Sequence, residues 1–246
     1  MVSFTTPAFI LRSVDVGVKD RIYSLYTRDR GKIDVLAKGI RKADSKLQSS
    51  MQVAALLEVY VIAQRRFTLG GSIIREADPE LLHSLPRLWA FQHALDVVNR
   101  LTQQEHIDVA LFERLERFFL TLRDHSDAAP ERLLYATVSF DLHVLHVLGH
   151  APRLRTNEKD DTFSALRSDG LHRFSDVAHQ PYRKISTETR SLLRFAQQKE
   201  PSDCFRVGIS LVQAIDQHAC MRVLLEDYDA ANLASDCTMK DFLFQK

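Results

Sequence analysis

Arg21–Lys38 reads RIYSLYTRDRGKIDVLAK, and its pattern decides the fold. Two runs rich in branched and aromatic residues, Arg21–Arg28 and Lys32–Lys38, flank the turn-prone Asp29-Arg30-Gly31. The second run alternates, with Ile33, Val35 and Ala37 on one face and Lys32, Asp34 and Lys38 on the other. A period of two marks a strand with one face on a core.

The same signal extends in both directions. Ala8–Val14 precedes the pair, separated from it by Asp15-Val16-Gly17. Ala54–Ala63 follows, with Leu57, Val59 and Val61 on one side and Glu58 and Tyr60 on the other. Gln64-Arg65-Arg66 turns the chain into Phe67–Glu76, where Gly70-Gly71 predicts a bulge or sharp bend. Five short strands in about 75 residues are too few for a sandwich and suit a small closed barrel of the OB type. The polar stretch Gly39–Ser50 falls between strands three and four as a short helix or a loop.

After Asp78-Pro79 the period changes to 3.6. Leu85, Leu88, Phe91, Leu95 and Val98 form one helical stripe; Leu111, Phe112, Leu115, Phe118, Phe119 and Leu122 form a second. Leu134, Val138, Leu142 and Leu145 form a third, stopped by Gly149 and Pro152. Further helices are expected at Ser186–Gln197 and Phe205–Leu225. The fold class is therefore α+β: an OB barrel over residues 1–78, then an α-helical domain over 79–246 with a polar insertion at about 150–180, where Asp169-Gly170 marks a turn. Long for a loop inside a compact domain, this stretch is read either as an insertion with a little β structure or as a mobile segment.

Composition places the chain among ordinary soluble globular proteins, with 45% hydrophobic and 26% charged residues in 246. The net charge is only +1, but residues 1–50 hold ten Lys and Arg against five Asp. That front carries +5 and the remainder −4, the asymmetry of a polyanion binder. Cys204, Cys220 and Cys237 form no CxxC pair, which fits a reducing, cytoplasmic compartment and inert thiols. The N-terminus, broken by Pro7 and Arg12, does not read as a signal peptide, and no apolar run reaches the roughly 20 residues of a membrane helix.

Basic residues cluster around strands two and three: Lys19, Arg21, Arg28, Arg30, Lys32, Lys38, Arg41, Lys42 and Lys46. An OB barrel binds strands by tracking phosphates with such residues and stacking bases on aromatics. A charge run is by itself ordinarily a solvated face; the asymmetry and the barrel argue for a binding role. Gly39 allows a positive φ or a close backbone approach within Lys38–Lys42. Tyr23 and Tyr26 are three apart, so they face opposite sides of a strand and at most one can stack a base.

His143, His146 and His150 share a helical spacing, yet there is no HExxH motif and His150 lies beyond Gly149. Phosphate-loop, dinucleotide and nucleophile-elbow motifs are absent from the sequence, and no catalytic residue is assigned. Two other classes remain open: a metal-dependent enzyme using the His143/His146 face, and a protein-interaction scaffold without DNA binding.

Phe9-Ile10-Leu11-Arg12-Ser13, Lys19-Asp20-Arg21, Leu25-Tyr26-Thr27-Arg28, Gly31-Lys32-Ile33 and above all Leu36-Ala37-Lys38-Gly39-Ile40-Arg41-Lys42 resemble the N-terminal region of the bacterial RecO family of recombination mediators. Ser45-Lys46-Leu47-Gln48 and Leu56-Leu57-Glu58-Val59 continue the resemblance, as do Phe140-Asp141-Leu142 and Leu148-Gly149-His150-Ala151-Pro152. It is most specific over residues 9–60. It implies an OB-fold on a helical domain, in a cytoplasmic, nucleoid-associated repair protein that is no enzyme. That protein binds single- and double-stranded DNA, anneals complementary strands without ATP and helps load RecA onto coated strands.

The implied partners are RecR and the acidic C-terminal tail of single-stranded-DNA-binding protein. The family's DNA-contacting residues fall on Lys38, Arg41 and Lys42, with Lys32 and Lys46 as neighbours. For the acidic tail, Arg114, Arg117 and Arg132 are candidates, with Arg123 beside them. Many family members hold zinc with four cysteines in the insertion; here residues 150–180 contain none, only His150, His172 and His179. No metal or other cofactor is therefore expected. The closing segment Thr238–Phe244 resembles the family's basic end only loosely.

Overall fold

The computed structural model describes residues 2–154, 163–172, 182–225 and 228. Its chain forms two compact units. Of the described residues, one comprises those up to Ser84 with Leu101–Glu116; the other comprises Leu85–Arg100 with those from Arg117 onward.

The first unit is built on five strands: β1 (Val2–Val16), β2 (Asp20–Thr27), β3 (Gly31–Ala37), β4 (Ala55–Ala63) and β5 (Phe67–Ala77). They close in the order β1-β2-β3-β5-β4, with β3 and β5 parallel over Val35↔Phe67 and Leu36↔Thr68. This is the OB arrangement. Ile10, Tyr23, Leu25, Ile33, Val35, Leu57, Val59 and Val61 fill the interior, each at most 4% exposed. The alternation read from β3 thus corresponds to burial of Ile33, Val35 and Ala37. A five-residue helix, α1 (Lys46–Ser50), lies between β3 and β4, and Ile40, Leu47 and Met51 around it pack on the same core.

β1 is longer than the run Ala8–Val14 suggests. It pairs with β4 over Val2–Ala8 and with β2 over Ala8–Val16, and the register shifts between Ile10 and Arg12. A one-residue bulge bends the strand and lets it serve two neighbours. A second bulge falls at Gly70, where Tyr60 pairs with Gly71 and Val61 with Leu69, as the Gly-Gly pair predicts.

Leu101–Glu116 belongs with these strands. The Glu105 N–H donates to the Lys32 carbonyl at 2.8 Å, and Lys32 Nζ donates to the Thr102 carbonyl at 2.5 Å. A Cβ at Gly31, which has φ +65°, would collide with the His106 carbonyl. Phe112 packs its ring on Phe9 (5.7 Å) and Tyr26 (6.2 Å). Nothing in the hydrophobic period flags this strap, because its partner rows are tertiary.

In the second unit, helices α2 (Leu85–Leu101), α3 (Val109–Asp124) and α4 (Pro130–Val147) follow, with α3 divided between the units at Glu116. All thirteen residues from Leu133 to Leu145 in α4 are buried, beyond the single stripe read from the sequence. α4 is therefore a central helix, apolar nearly all round. Three of its polar side chains find partners inside: Tyr135 Oη donates to the Leu192 carbonyl (2.7 Å), Ser139 Oγ to that of Ala196 (2.9 Å), and one oxygen of Asp141 pairs with His93 (2.8 Å). Gly149, at φ +81°, ends the helix: its N–H donates to His146 and that of His150 to Leu145.

α5 (Thr187–Gln198) and the short α6 (Pro201–Cys204) come next, then α7 (Leu211–Leu225). The expected helix Phe205–Leu225 is thus shorter at its start. Ser210 and Gln213 form a reciprocal capping box that sets the true N-terminus (2.8 and 3.3 Å). The insertion carries a small sheet, β7-β6-β8, from β6 (Phe163–Arg167), β7 (Gly170–His172) and β8 (Arg183–Ser186). His179, Cys237 and Thr238–Phe244 lie outside the described residues.

Candidate nucleic-acid interface

The β1–β2 turn and the turn after β3 are stapled together. The Arg41 N–H donates to the Lys19 carbonyl at 3.1 Å, and the Gly39 N–H donates to Asp20 Oδ1 at 2.8 Å. Gly39 takes φ +67°, which a side chain would strain. Asp15 anchors the same knuckle, accepting from Arg21 Nε at 2.6 Å and pairing with Arg41 at 3.4 Å. The Arg21 hydrogen bond holds the Asp15 carboxyl below its ordinary pKa, against the opposing effect of burial.

Lys19, Lys38, Arg41 and Lys42 are all exposed there, and among the described residues Lys19, Lys38 and Lys42 carry no ion pair. The cost of fixing this backbone is met within the turns, so the lysines are left available to an anion. The side chain of Lys46 is outside the described atoms.

The other four basic positions are placed differently. Arg28 and Arg30 occupy the β2–β3 turn, about 20–25 Å away along β2 at the rise of a strand. Arg28 pairs with Glu113 at 2.9 Å, and Arg30 lies 5.0 Å over the Phe4 ring. Arg21 is committed to Asp15 and Lys32 to Thr102. The eight described side chains therefore fall at the two ends of β2 rather than in one patch.

Between the ends, the outer face of β1–β3 carries Arg12, whose Nε donates to Ser24 at 3.1 Å; Ser24 in turn donates to Asp34. Tyr23 and Tyr26 face opposite sides, as their spacing requires, and neither is exposed. Tyr23 (4% exposed) is inside the barrel, and Tyr26 (0%) is beneath Phe112. Arg12, Arg65 and Arg66, all exposed, were not among the basic residues singled out by sequence. Arg65 and Arg66 could have been found from their place in a tight turn.

The family profile for the recombination protein O N-terminal region matches residues 1–77, and the one for its C-terminal region matches residues 82–217. The chain belongs to the RecO family. It is 30% identical over 155 residues to DNA repair protein RecO of Myxococcus xanthus, covering 62% of each chain. It is 25% identical over 173 residues to that of Pelobacter propionicus (66% and 67%), and 27% over 194 residues to that of Salinibacter ruber (76% and 73%). The match thus spans less than two thirds of the Myxococcus relative's length.

Other RecO-family expectations find these places. Arg114 is in the stretch grouped with the barrel. In the helical unit, Arg117 pairs with Glu200 at 3.3 Å and Arg123 with Asp124 at 3.3 Å. Arg132 is exposed and lines a cavity of about 230 Å³ with Asp124, His125, Asp127 and Phe205, where His125 stacks on Phe205 at 4.2 Å. His143 is buried, His146 is exposed and His150 lies past the helix end. Among the described residues no three His, Cys, Asp or Glu side chains are grouped to hold a metal ion, and the cysteine-free insertion does not fit the family's four-thiolate zinc. Among those residues no helix is long and apolar enough to cross a membrane.

Proposed function

We propose that this chain is a non-enzymatic, cytoplasmic, nucleoid-associated mediator of DNA repair and recombination. It binds single- and double-stranded DNA, anneals complementary strands without ATP, and helps load the recombinase onto coated single strands together with RecR. The observation that carries the reading is the stapled knuckle presenting Lys19, Lys38, Arg41 and Lys42 from a RecO-family barrel.

Annealing requires that backbone charge be neutralised while base edges stay free to pair. Lysines on a rigid turn do this by displacing counterions, without reading sequence. Lys46 and the β2–β3 turn residues Arg28 and Arg30 extend the contact along a strand. Arg21 and Lys32 contribute through position, since each is already held by a protein oxygen.

For the acidic tail of single-stranded-DNA-binding protein, Arg132 beside Phe205 and His125 combines a cation with an apolar wall. Arg114 and Arg117 are weaker candidates, the latter being paired with Glu200. A titration of labelled single-stranded DNA at low and high salt tests the DNA-binding reading. Binding that does not weaken with salt would remove it.

A further inference from the structure

Tyr60 is the one exposed Phe, Tyr or Trp ring among the described residues of the barrel unit, at 42%. It stands on the outer face of β4, between Thr5 of β1 and Gly71 of β5 in register. Both neighbours are too short to cover it. A Cβ built on Gly70 would lie 2.6 Å from Tyr60 Cδ1 and 2.8 Å from Cε1, so the ring occupies space that only glycine leaves open. The Gly70 bulge therefore seats the ring on the backbone of β5 and fixes it there. An aromatic held in this way has lost its rotamer freedom before any ligand arrives, which lowers the cost of binding.

The surroundings are basic. Arg65 and Arg66 are exposed on the turn joining β4 to β5, five and six residues beyond Tyr60. That spacing is about 10–15 Å along the strand, one or two nucleotides of an extended single strand. Glu58, two residues before Tyr60 on this face, is already paired with Arg75 at 3.3 Å. At the same turn, Phe67 packs edge-on against Phe4 at 6.0 Å, and Arg30 lies over that Phe4 ring. A flat ring on a strand that runs into the exposed Arg65-Arg66 turn complements a base with flanking phosphates.

We propose that Tyr60 is a stacking platform for one unpaired nucleobase, with Arg65 and Arg66 holding the adjacent phosphates. This places base contact on the β4–β5 face, away from β2–β3, where Phe112 already covers Tyr26. The proposal rests on the reading of the chain as a nucleic-acid binder. The competing role for Tyr60 is purely structural, shielding the bulge glycine from water.

The test is fluorescence anisotropy on the full chain, at low salt, with labelled oligothymidylate about 20 nucleotides long and an abasic oligomer of equal length. Tyr60→Phe keeps the platform; Tyr60→Leu keeps the cover over Gly70 but removes the π face. The expected result is wild-type affinity for Tyr60→Phe and about 5- to 100-fold weaker oligothymidylate binding for Tyr60→Leu. All three proteins should bind the abasic oligomer alike. Tyr60→Leu binding oligothymidylate as tightly as wild type would overturn the platform. So would an equal loss on both oligomers, which would mark a structural effect. If wild type bound neither oligomer, the nucleic-acid reading itself would fall, an outcome distinct from failure of Tyr60 alone.

Discussion

The Lys32 ammonium and the Thr102 carbonyl meet at 2.5 Å, and this bond ties the strap before α3 to the third strand of the barrel. Lys32 is half-buried, and burial lowers its pKa, reinforced by Arg12 and opposed by Asp34. A lysine whose three donors are partly spent on protein contributes less to a phosphate than its charge suggests. Lys32→Met is expected to cost about 1–2 kcal/mol of stability in urea unfolding, with a salt slope of DNA binding close to wild type.

Phe112 anchors the same strap against Phe9 and Tyr26. All three rings are 1% exposed or less. Phe112→Ala leaves a cavity between a strand face and the strap, and should destabilise by about 3–5 kcal/mol. Chemical denaturation with tyrosine fluorescence would report it, because Tyr26 would then meet water. A loss under 1 kcal/mol, roughly the size of a surface change, would mean that the strap does not depend on this contact.

His218 is 2% exposed in the helical unit, edge-on to Trp89 (5.7 Å) and tilted against His93 (5.6 Å). Burial, then the charges of His93 and Arg222, push its pKa down from 6.5 to about 3. Between those values the unfolded chain binds a proton that the folded chain refuses. Stability from this group is therefore full above about pH 6.5 and falls at up to about 1.4 kcal/mol per pH unit below it. Asp141, raised by burial against the pull of His93, acts in the opposite sense. Comparing wild type with His218→Leu at pH 7.5 and 5.5 isolates the histidine: the wild type should lose more stability on acidification.

Cys204 and Cys220 are fully buried, and burial pushes both thiols up to about 12. Neither supplies a thiolate at neutral pH. In a Cys237→Ser background, a thiol reagent should label nothing in the folded protein and two sites after unfolding. Rapid labelling of the folded variant would contradict the burial.

Much of the barrel was legible because a half-buried strand writes its two faces into alternate residues, as Ile33, Val35 and Ala37 do. The start of β1 was not: Pro7 interrupts the run, and pairing with β4 carries the strand through it. The start of α7 was present in Ser210 and Gln213 but was outweighed by the apolar residues before it. For the interface, sequence brought out the lysines of the knuckle. It could not show that Arg21 and Lys32 are committed to protein oxygens, or that Tyr26 is covered, since those partners lie up to 86 positions away at Phe112. Tyr60 needed the bulge register to be seen.

The most direct test is the salt dependence of single-stranded DNA affinity in the Lys38→Ala, Arg41→Ala, Lys42→Ala variant beside wild type. Each lost phosphate contact reduces the slope of log affinity against log salt by about 0.7 on a single strand. The expected result is weaker binding at low salt and a slope flatter by about 1.5–2, with curves converging at high salt. Unchanged affinity and slope in a folded triple variant would show that the knuckle is not where the chain grips DNA.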